Sequence, residues 1–357
     1  MENVFAGWPD PLLMNSGQRV ESLAQWPARR TQILEILIPA LYGALPPPPE
    51  QTRCTLLHVG RAVQPSGANL HTYRIAVNGR HAFTLRLTLA QDVACAPVIL
   101  NGDGCWGYAT QDVIETIVGR GYAFAQFNRT EILSDVAENG WQQTCCDALP
   151  DYPGGALAAW AWGYQRAIDA LAPLPEVDTK RITIVGHSRG GKAALLAGAL
   201  DERIALTAAN NSGAAGAGSF LWQAPGSETL GDLLDRFAFW LAPEAGRFRD
   251  AGPALPFDQH FLKALIAPRA LLCTEALQDL WANPQGSWLT HVAAQPVFDL
   301  CDASRHNAIV FRDGGHAHTL ADWCSLLDFA DAVFSHADLP EGFNRCPYPG
   351  LPSFWRR

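Results

Sequence analysis

A serine stands in a G-x-S-x-G frame at Gly186-His187-Ser188-Arg189-Gly190. The apolar run Ile182-Thr183-Ile184-Val185 precedes it directly, and the Ala/Leu-rich run GKAALLAGAL follows. A short buried strand, a tight turn and a helix are the setting a nucleophilic serine needs. The flanking glycines let strand and helix approach closely, and the free N–H groups of the helix start face the charge that develops on attack. Ser188 is therefore the expected nucleophile, and the fold it implies is the α/β-hydrolase fold.

An activated serine needs a base, and the base needs an orienting acid. In this type of fold they follow the nucleophile in chain order, acid first and histidine last. The polar turn Arg312-Asp313-Gly314-Gly315-His316-Ala317-His318 follows the apolar run Ala308–Phe311, so it lies where a strand hands over to a loop. His316, directly after two glycines, is favoured over His318 as the base. Asp279, in the loop after ALLCTE, is favoured as the acid over Asp258, Asp302 and Asp313, and its alternative role is to cap a turn or helix. The oxyanion calls for converging donors. The Arg189 backbone N–H is one, the loop Asn101-Gly102-Asp103-Gly104 offers another, and the Arg189 side chain is a third. With Lys192 one turn further along the helix, Arg189 would also suit an acidic substrate.

The elements that must position these residues are legible as patterns. Residues 27–44 read as a helix opened by Pro27 and ended by the proline run 46–49. Thr55–Val63, Asn69–Val77 and Ala82–Leu89 have strand character, and the last alternates Phe83, Leu85, Leu87 against Thr84, Arg86, Thr88. Ala96–Leu100, Tyr122–Phe127, Arg181–Val185, Ile204–Ala209, Ala270–Thr274 and Ala308–Phe311 are short apolar runs of the kind buried in parallel sheets. Helices are expected over Leu157–Leu171, Arg189–Leu200 and Leu320–Phe334. Antiparallel strands first and alternating β and α afterwards predict a mostly parallel central sheet with helices on both faces. One domain over residues 1–357 is expected, with an N-terminal helical extension over about 1–50. The stretch 214–256, aromatic over Phe220–Ala251, is expected either to form a lid or sugar-stacking platform or simply to pack.

Composition narrows the partners. With 48% apolar and 17% charged residues the chain has a sizeable core, and a net charge of −9 argues against nucleic acid. Nine cysteines show no CxxC pair and no zinc-ligand spacing, so buried free thiols are expected, with a disulfide from Cys145 or Cys146 left open. No apolar stretch approaches the roughly 18 residues needed to span a membrane, and no signal peptide is visible. The expectation is a soluble, cytoplasmic protein, or a secreted or periplasmic one whose leader has been removed.

Beyond the fold, the segments GHSRGGKAALLAGALDERIAL, NNSGAAGAG, LPFDQHFLKALIAPRALL, QDLWANPQG and GGHAHTLADW resemble the glucuronoyl esterases, carbohydrate esterase family fifteen. WPARRTQILEILIPALYGALP resembles the opening of its bacterial members. The resemblance implies hydrolysis of esters of (4-O-methyl-)glucuronic acid, of the glucuronoxylan–lignin type or small alkyl or aryl glucuronates, with no metal or organic cofactor. It also implies Ser188 as nucleophile, His316 as base, Arg189 at the oxyanion, and Lys192, Glu228 and Trp281 as sugar contacts. Many members carry a glutamate as triad acid where this chain has Asn211, which cannot be an anionic partner. Others use an acid two residues before the tryptophan, which here is Asp279. The competing expectations are a general carboxylesterase or deacetylase on the same fold and a non-catalytic carbohydrate-binding homologue. The alcohol moiety, glycan length and oligomeric state stay open.

Overall fold

The computed structural model describes residues 4–62, 65, 67–91, 93–136, 145–150 and 152–355. Among the described residues, nine strands join in one sheet in the order β1-β2-β3-β5-β4-β6-β7-β8-β9. β1 (Thr52–Arg61), β2 (Asn69–Val77) and β3 (Arg80–Leu89) form an antiparallel meander at one edge. β3 pairs antiparallel with β5 (Ala123–Phe127), and from there every pair is parallel. The parallel set continues through β4 (Ala96–Asn101), β6 (Val177–His187), β7 (Leu206–Asn210), β8 (Ala270–Ala276) and β9 (Asn307–Arg312). The strands lie close to the expected runs. Val63, the end of the first expected strand, lies outside the described residues.

Alternation along the parallel strands sends side chains into two cores. Ile99, Phe124, Leu206 and Leu272 face α2 (Gln111–Gly119) and α8 (Leu320–Ser335), which carry Val113, Ile117, Leu326 and Phe329 into that layer. Val98, Leu100, Leu271 and Cys273 face the opposite and larger core. There α1 (Trp26–Leu37), α3 (Ala156–Leu171), α4 (Arg189–Leu200), α6 (Gln259–Ala264) and α7 (Pro284–Leu300) pack. α5 (Leu230–Arg236) stands in the long connection between β7 and β8, closed by a Thr229–Asp232 capping box.

Three expectations need correction. The first helix is α-helical only to Leu37 and continues as one π-turn over Ile38–Tyr42, around Pro39, which has no N–H to give an α-helical bond. The helices α2, α5, α6 and α7 have no counterpart among the expected elements. α7 contains Pro296 and is buried on most sides, so no amphipathic stripe marks it, and the others are short. All nine cysteines are free, but only Cys273 is buried, Cys95 is exposed and the rest are half-buried. In the aromatic stretch 220–251, Phe220, Phe239 and Trp240 sink into the larger core.

Candidate active site

The strand-turn-helix at the sheet's centre is built around backbone strain. Ser188 closes β6 and caps α4 with φ 54° and ψ −124°, a conformation costly to a residue with a side chain. It is held from both sides: Ser188 N–H donates to the Asn210 carbonyl at 2.9 Å, and the Ser188 carbonyl accepts from Lys192 N–H at 3.1 Å. The turn is tight enough that a Cβ on Gly186 would come 2.2 Å from the Gly190 carbonyl oxygen. A Cβ on Gly190 would come 1.9 Å from Asp103 Oδ1. Only glycine fits either position.

Three side chains from three strand ends meet here. Ser188 Oγ lies 2.9 Å from His316 Nε2, and His316 Nδ1 lies 2.5 Å from Asp279 Oδ2. Asp279 is 3% exposed in its side chain while His316 is 42% exposed, so the carboxylate is sealed and the imidazole reaches solvent. The loops after β8 and β9 are pinned together by Leu277 N–H to Arg312 O and Gln278 N–H to Gly314 O. His318 does not join this chain. It stacks on Trp323 of α8, 4.3 Å between ring centroids. Asp258 accepts from Ser219 and the backbone of Phe220 and Gln259, away from the serine.

His187 lies beside the base, 4.6 Å between ring centroids, and its Nδ1 meets Asn210 Oδ1 at 2.6 Å. Burial pushes its pKa down, which favours a neutral imidazole beside the base. Asn211 occupies a left-handed backbone position with φ 44° and ties three elements. Its Oδ1 accepts from Ala276 N–H at 2.7 Å and its Nδ2 donates to the Ala317 carbonyl at 3.1 Å. A carboxylate could not make the second bond.

Donors for an anionic intermediate are arranged differently from expectation. In the loop after β4, Gly102 N–H donates to the Tyr164 hydroxyl at 3.0 Å and Asp103 N–H to Asn101 Oδ1 at 3.0 Å. Both are spent inside the fold. Arg189 is better disposed: it is the first residue of α4, and its guanidinium sits 4.5 Å from the Trp240 ring centre and 5.9 Å from that of Trp106. Its Nη1 donates to Asp135 Oδ2 at 2.9 Å, whereas its buried Nε has no hydrogen-bond partner among the described residues.

Lys192 and Glu228 come together, Nζ to Oε2 at 2.7 Å, with Nζ also donating to the Ala214 carbonyl. Burial lowers the Lys192 pKa and the Glu228 carboxylate opposes that shift. The left-handed Gly213 makes the room: a Cβ there would meet Glu228 Oε2 at 2.9 Å. Trp281 is attached to this pair by Glu228 N–H to the Trp281 carbonyl, 2.9 Å, and its ring lies 5.1 Å from the Arg236 guanidinium. It is among the exposed large apolar side chains. Arg129 and Asp135 carry no functional signal in the sequence, and that of Asp103 is indirect, its position between two glycines after a strand. Among the described residues no cluster of metal-ligating side chains occurs.

The fold and this site define an ester hydrolase of the α/β-hydrolase class. The family model for fungal glucuronyl esterases matches residues 75–301. A solved carbohydrate esterase family 15 glucuronoyl esterase from Caldicellulosiruptor kristjansonii superposes with a TM-score of 0.82, 29% identity, and coverage of 97% of this chain and 95% of that one. Carbohydrate esterase MZ0003, from an unknown prokaryotic organism, is 28% identical over 90% of this chain and 88% of its own length. The 4-O-methyl-glucuronoyl methylesterase 1 of Phanerochaete chrysosporium is 29% identical over 88% of this chain and 66% of its own. The chain belongs to the glucuronoyl esterase family.

Proposed function

We propose that this protein hydrolyses esters of (4-O-methyl-)D-glucuronic acid through a covalent glucuronoyl-Ser188 intermediate. The observation that carries the reading is the hydrogen-bonded chain Ser188–His316–Asp279 on a strained elbow. Ser188 Oγ attacks the uronate carbonyl while its proton passes to His316 Nε2. Asp279 holds the imidazole through Nδ1 and stabilises the imidazolium that forms. The oxyanion is met by the Arg189 backbone N–H and guanidinium, which act on charge present only in the transition state and intermediate. His316 then returns the proton to the alcohol oxygen as that bond breaks. A water, deprotonated by His316, then attacks the acyl carbon; as the acyl–Oγ bond breaks, His316 returns that proton to Ser188 Oγ and the uronate is released.

The acyl half of the substrate is assigned to the side of the serine bearing Lys192, Glu228 and Trp281. A buried cation and carboxylate recognise hydroxyls by direction, and an exposed indole offers an apolar face to a pyranose ring. The test is kcat/KM for methyl or benzyl glucuronate beside p-nitrophenyl acetate, on wild type, Ser188→Ala and Asp279→Asn. A preference for the glucuronate is expected in the wild type, with its kcat/KM falling on the order of 10⁶-fold in Ser188→Ala and about 10⁴-fold in Asp279→Asn. Turnover of the acetate alone would retain the serine chemistry and remove the uronate assignment.

A further inference from the structure

An arginine beside a nucleophile stabilises an oxyanion only if its N–H groups are held where the charge appears. In this chain the holding is done by residues of the segment after β5. Asp135 Oδ2 accepts from Arg189 Nη1 at 2.9 Å, and its other oxygen, Oδ1, accepts from Trp240 Nε1 at 2.9 Å. Both carboxylate oxygens are thus engaged, and the guanidinium rests on the ring whose N–H anchors the same carboxylate. Behind them lies Arg129, whose side chain is 0% exposed. Its guanidinium is packed 4.3 Å from the Trp106 ring centre and 5.0 Å from that of Trp160. Its Nη2 is 4.0 Å from Asp135 Oδ2, and its Nη1 donates to Asp103. Asp103 in turn accepts from His187 N–H at 2.7 Å, the peptide just before the serine. Two carboxylates and two guanidiniums therefore alternate, Asp103–Arg129–Asp135–Arg189, from the elbow backbone round to the side chain next to the nucleophile.

We propose that Asp135 is a positioning residue for Arg189, with Arg129 tying it to the backbone of the elbow, so that the partly exposed guanidinium of Arg189 is held at the oxyanion. The inference rests on the oxyanion role assigned to Arg189 above. Two effects of the Asp135 carboxylate oppose each other. Its charge offsets part of the attraction Arg189 offers an anion, while its hydrogen bond prevents the guanidinium from swinging away. Orientation outweighs charge here: the Arg129 guanidinium, 4.0 Å from the same Asp135 oxygen, already offsets part of the carboxylate charge that Arg189 would otherwise feel. A displacement of about 1 Å at a catalytic donor can cost about 100-fold.

The test is a double-mutant cycle with kcat and KM measured on methyl glucuronate, each variant first shown to be folded by its thermal melt. Arg189→Ala is expected to lower kcat about 100-fold. Asp135→Ala should lower kcat about 10-fold or more with KM within about threefold, and add less than about threefold in the Arg189→Ala background. Asp135→Asn preserves volume and carries the cycle should the alanine variant fail to fold. Its single carbonyl oxygen cannot serve Trp240 and Arg189 together, so a smaller loss of kcat is expected, again absent without Arg189. If Arg189→Ala lowers kcat but Asp135 variants leave it unchanged, raise it, or lower it equally in both backgrounds, the positioning role is overturned and the oxyanion role stands. If Arg189→Ala leaves kcat unchanged, both fall.

Discussion

At the scale of single residues, the Lys192–Glu228 pair shows how stability and recognition are entangled. Both side chains are 4% exposed, so each charge depends on the other for compensation. Removing one partner of a buried pair strands the other and destabilises by about 3–5 kcal/mol, while removing both is often close to neutral. Lys192→Met and Glu228→Gln are each expected to lower Tm, and the double substitution to recover most of it. If the pair also binds sugar hydroxyls, KM for methyl glucuronate rises about 10-fold or more in all three variants, with turnover of p-nitrophenyl acetate nearly unchanged. A double variant that regains both Tm and KM would reduce the pair to a packing element. The residues of this site differ in how visible they are in sequence. Ser188, Asp279 and His316 announce themselves by local setting, each in a loop at a strand end. Arg129 also follows a strand, two residues after β5, but neither it nor Asp135 stands in a recognisable motif, because each acts through a partner more than 25 residues away.

At the scale of elements, α4 is pressed against the sheet at its small residues. A Cβ on Gly190 would collide with Asp103, which anchors the His187 peptide and Arg129. Gly190→Ala should therefore both destabilise, by about 1–3 kcal/mol, and depress kcat through the elbow. Gly119, at the end of α2, has an ordinary φ, and a methyl group on its Cα would meet no described atom within 4 Å. Gly119→Ala should leave kinetics untouched and raise stability by about 0.5–1 kcal/mol. Thermal melts of the two variants beside wild type check the contrast, and equal effects would contradict it. The same comparison explains what sequence pattern can see. β3 reads clearly because one-sided burial imposes strict alternation, whereas α7, buried almost all round and interrupted by Pro296, has no period to read.

At the scale of the molecule, the termini are tied to the core through α6. His260 Nε2–H donates to the Pro9 carbonyl at 2.8 Å, and the His260 ring packs against Trp8 and Trp355. Burial lowers the His260 pKa to about 4, with Asp10 opposing the shift and Lys263 and Arg29 adding to it. His291 is lowered likewise to about 3. Both stay neutral in the folded chain, while the unfolded chain takes up protons near pH 6.5. Unfolding is therefore favoured progressively as pH falls below about 6.5, and this contribution is absent above it. For His260 the loss approaches about 3 kcal/mol near pH 4. Tm measured from pH 7 to pH 4 should fall less steeply in His260→Gln, whose amide can still donate to Pro9; an unchanged slope would rule His260 out as a source.

Local sequence pattern was enough to order the nine strands and the helices α1, α3, α4 and α8 along the chain, to place the elbow at Ser188 and to find the loops that carry Asp279 and His316, since each depends on neighbours a few residues away. Only the tertiary structure decided the sheet order that sets β5 beside β4 and β4 beside β6. That order brings the segments following these three strands to one end of the sheet, where Asp103, Arg129, Asp135 and Arg189 meet. Charge pairing between loops is a property of where strands lie in space, and no local period encodes it.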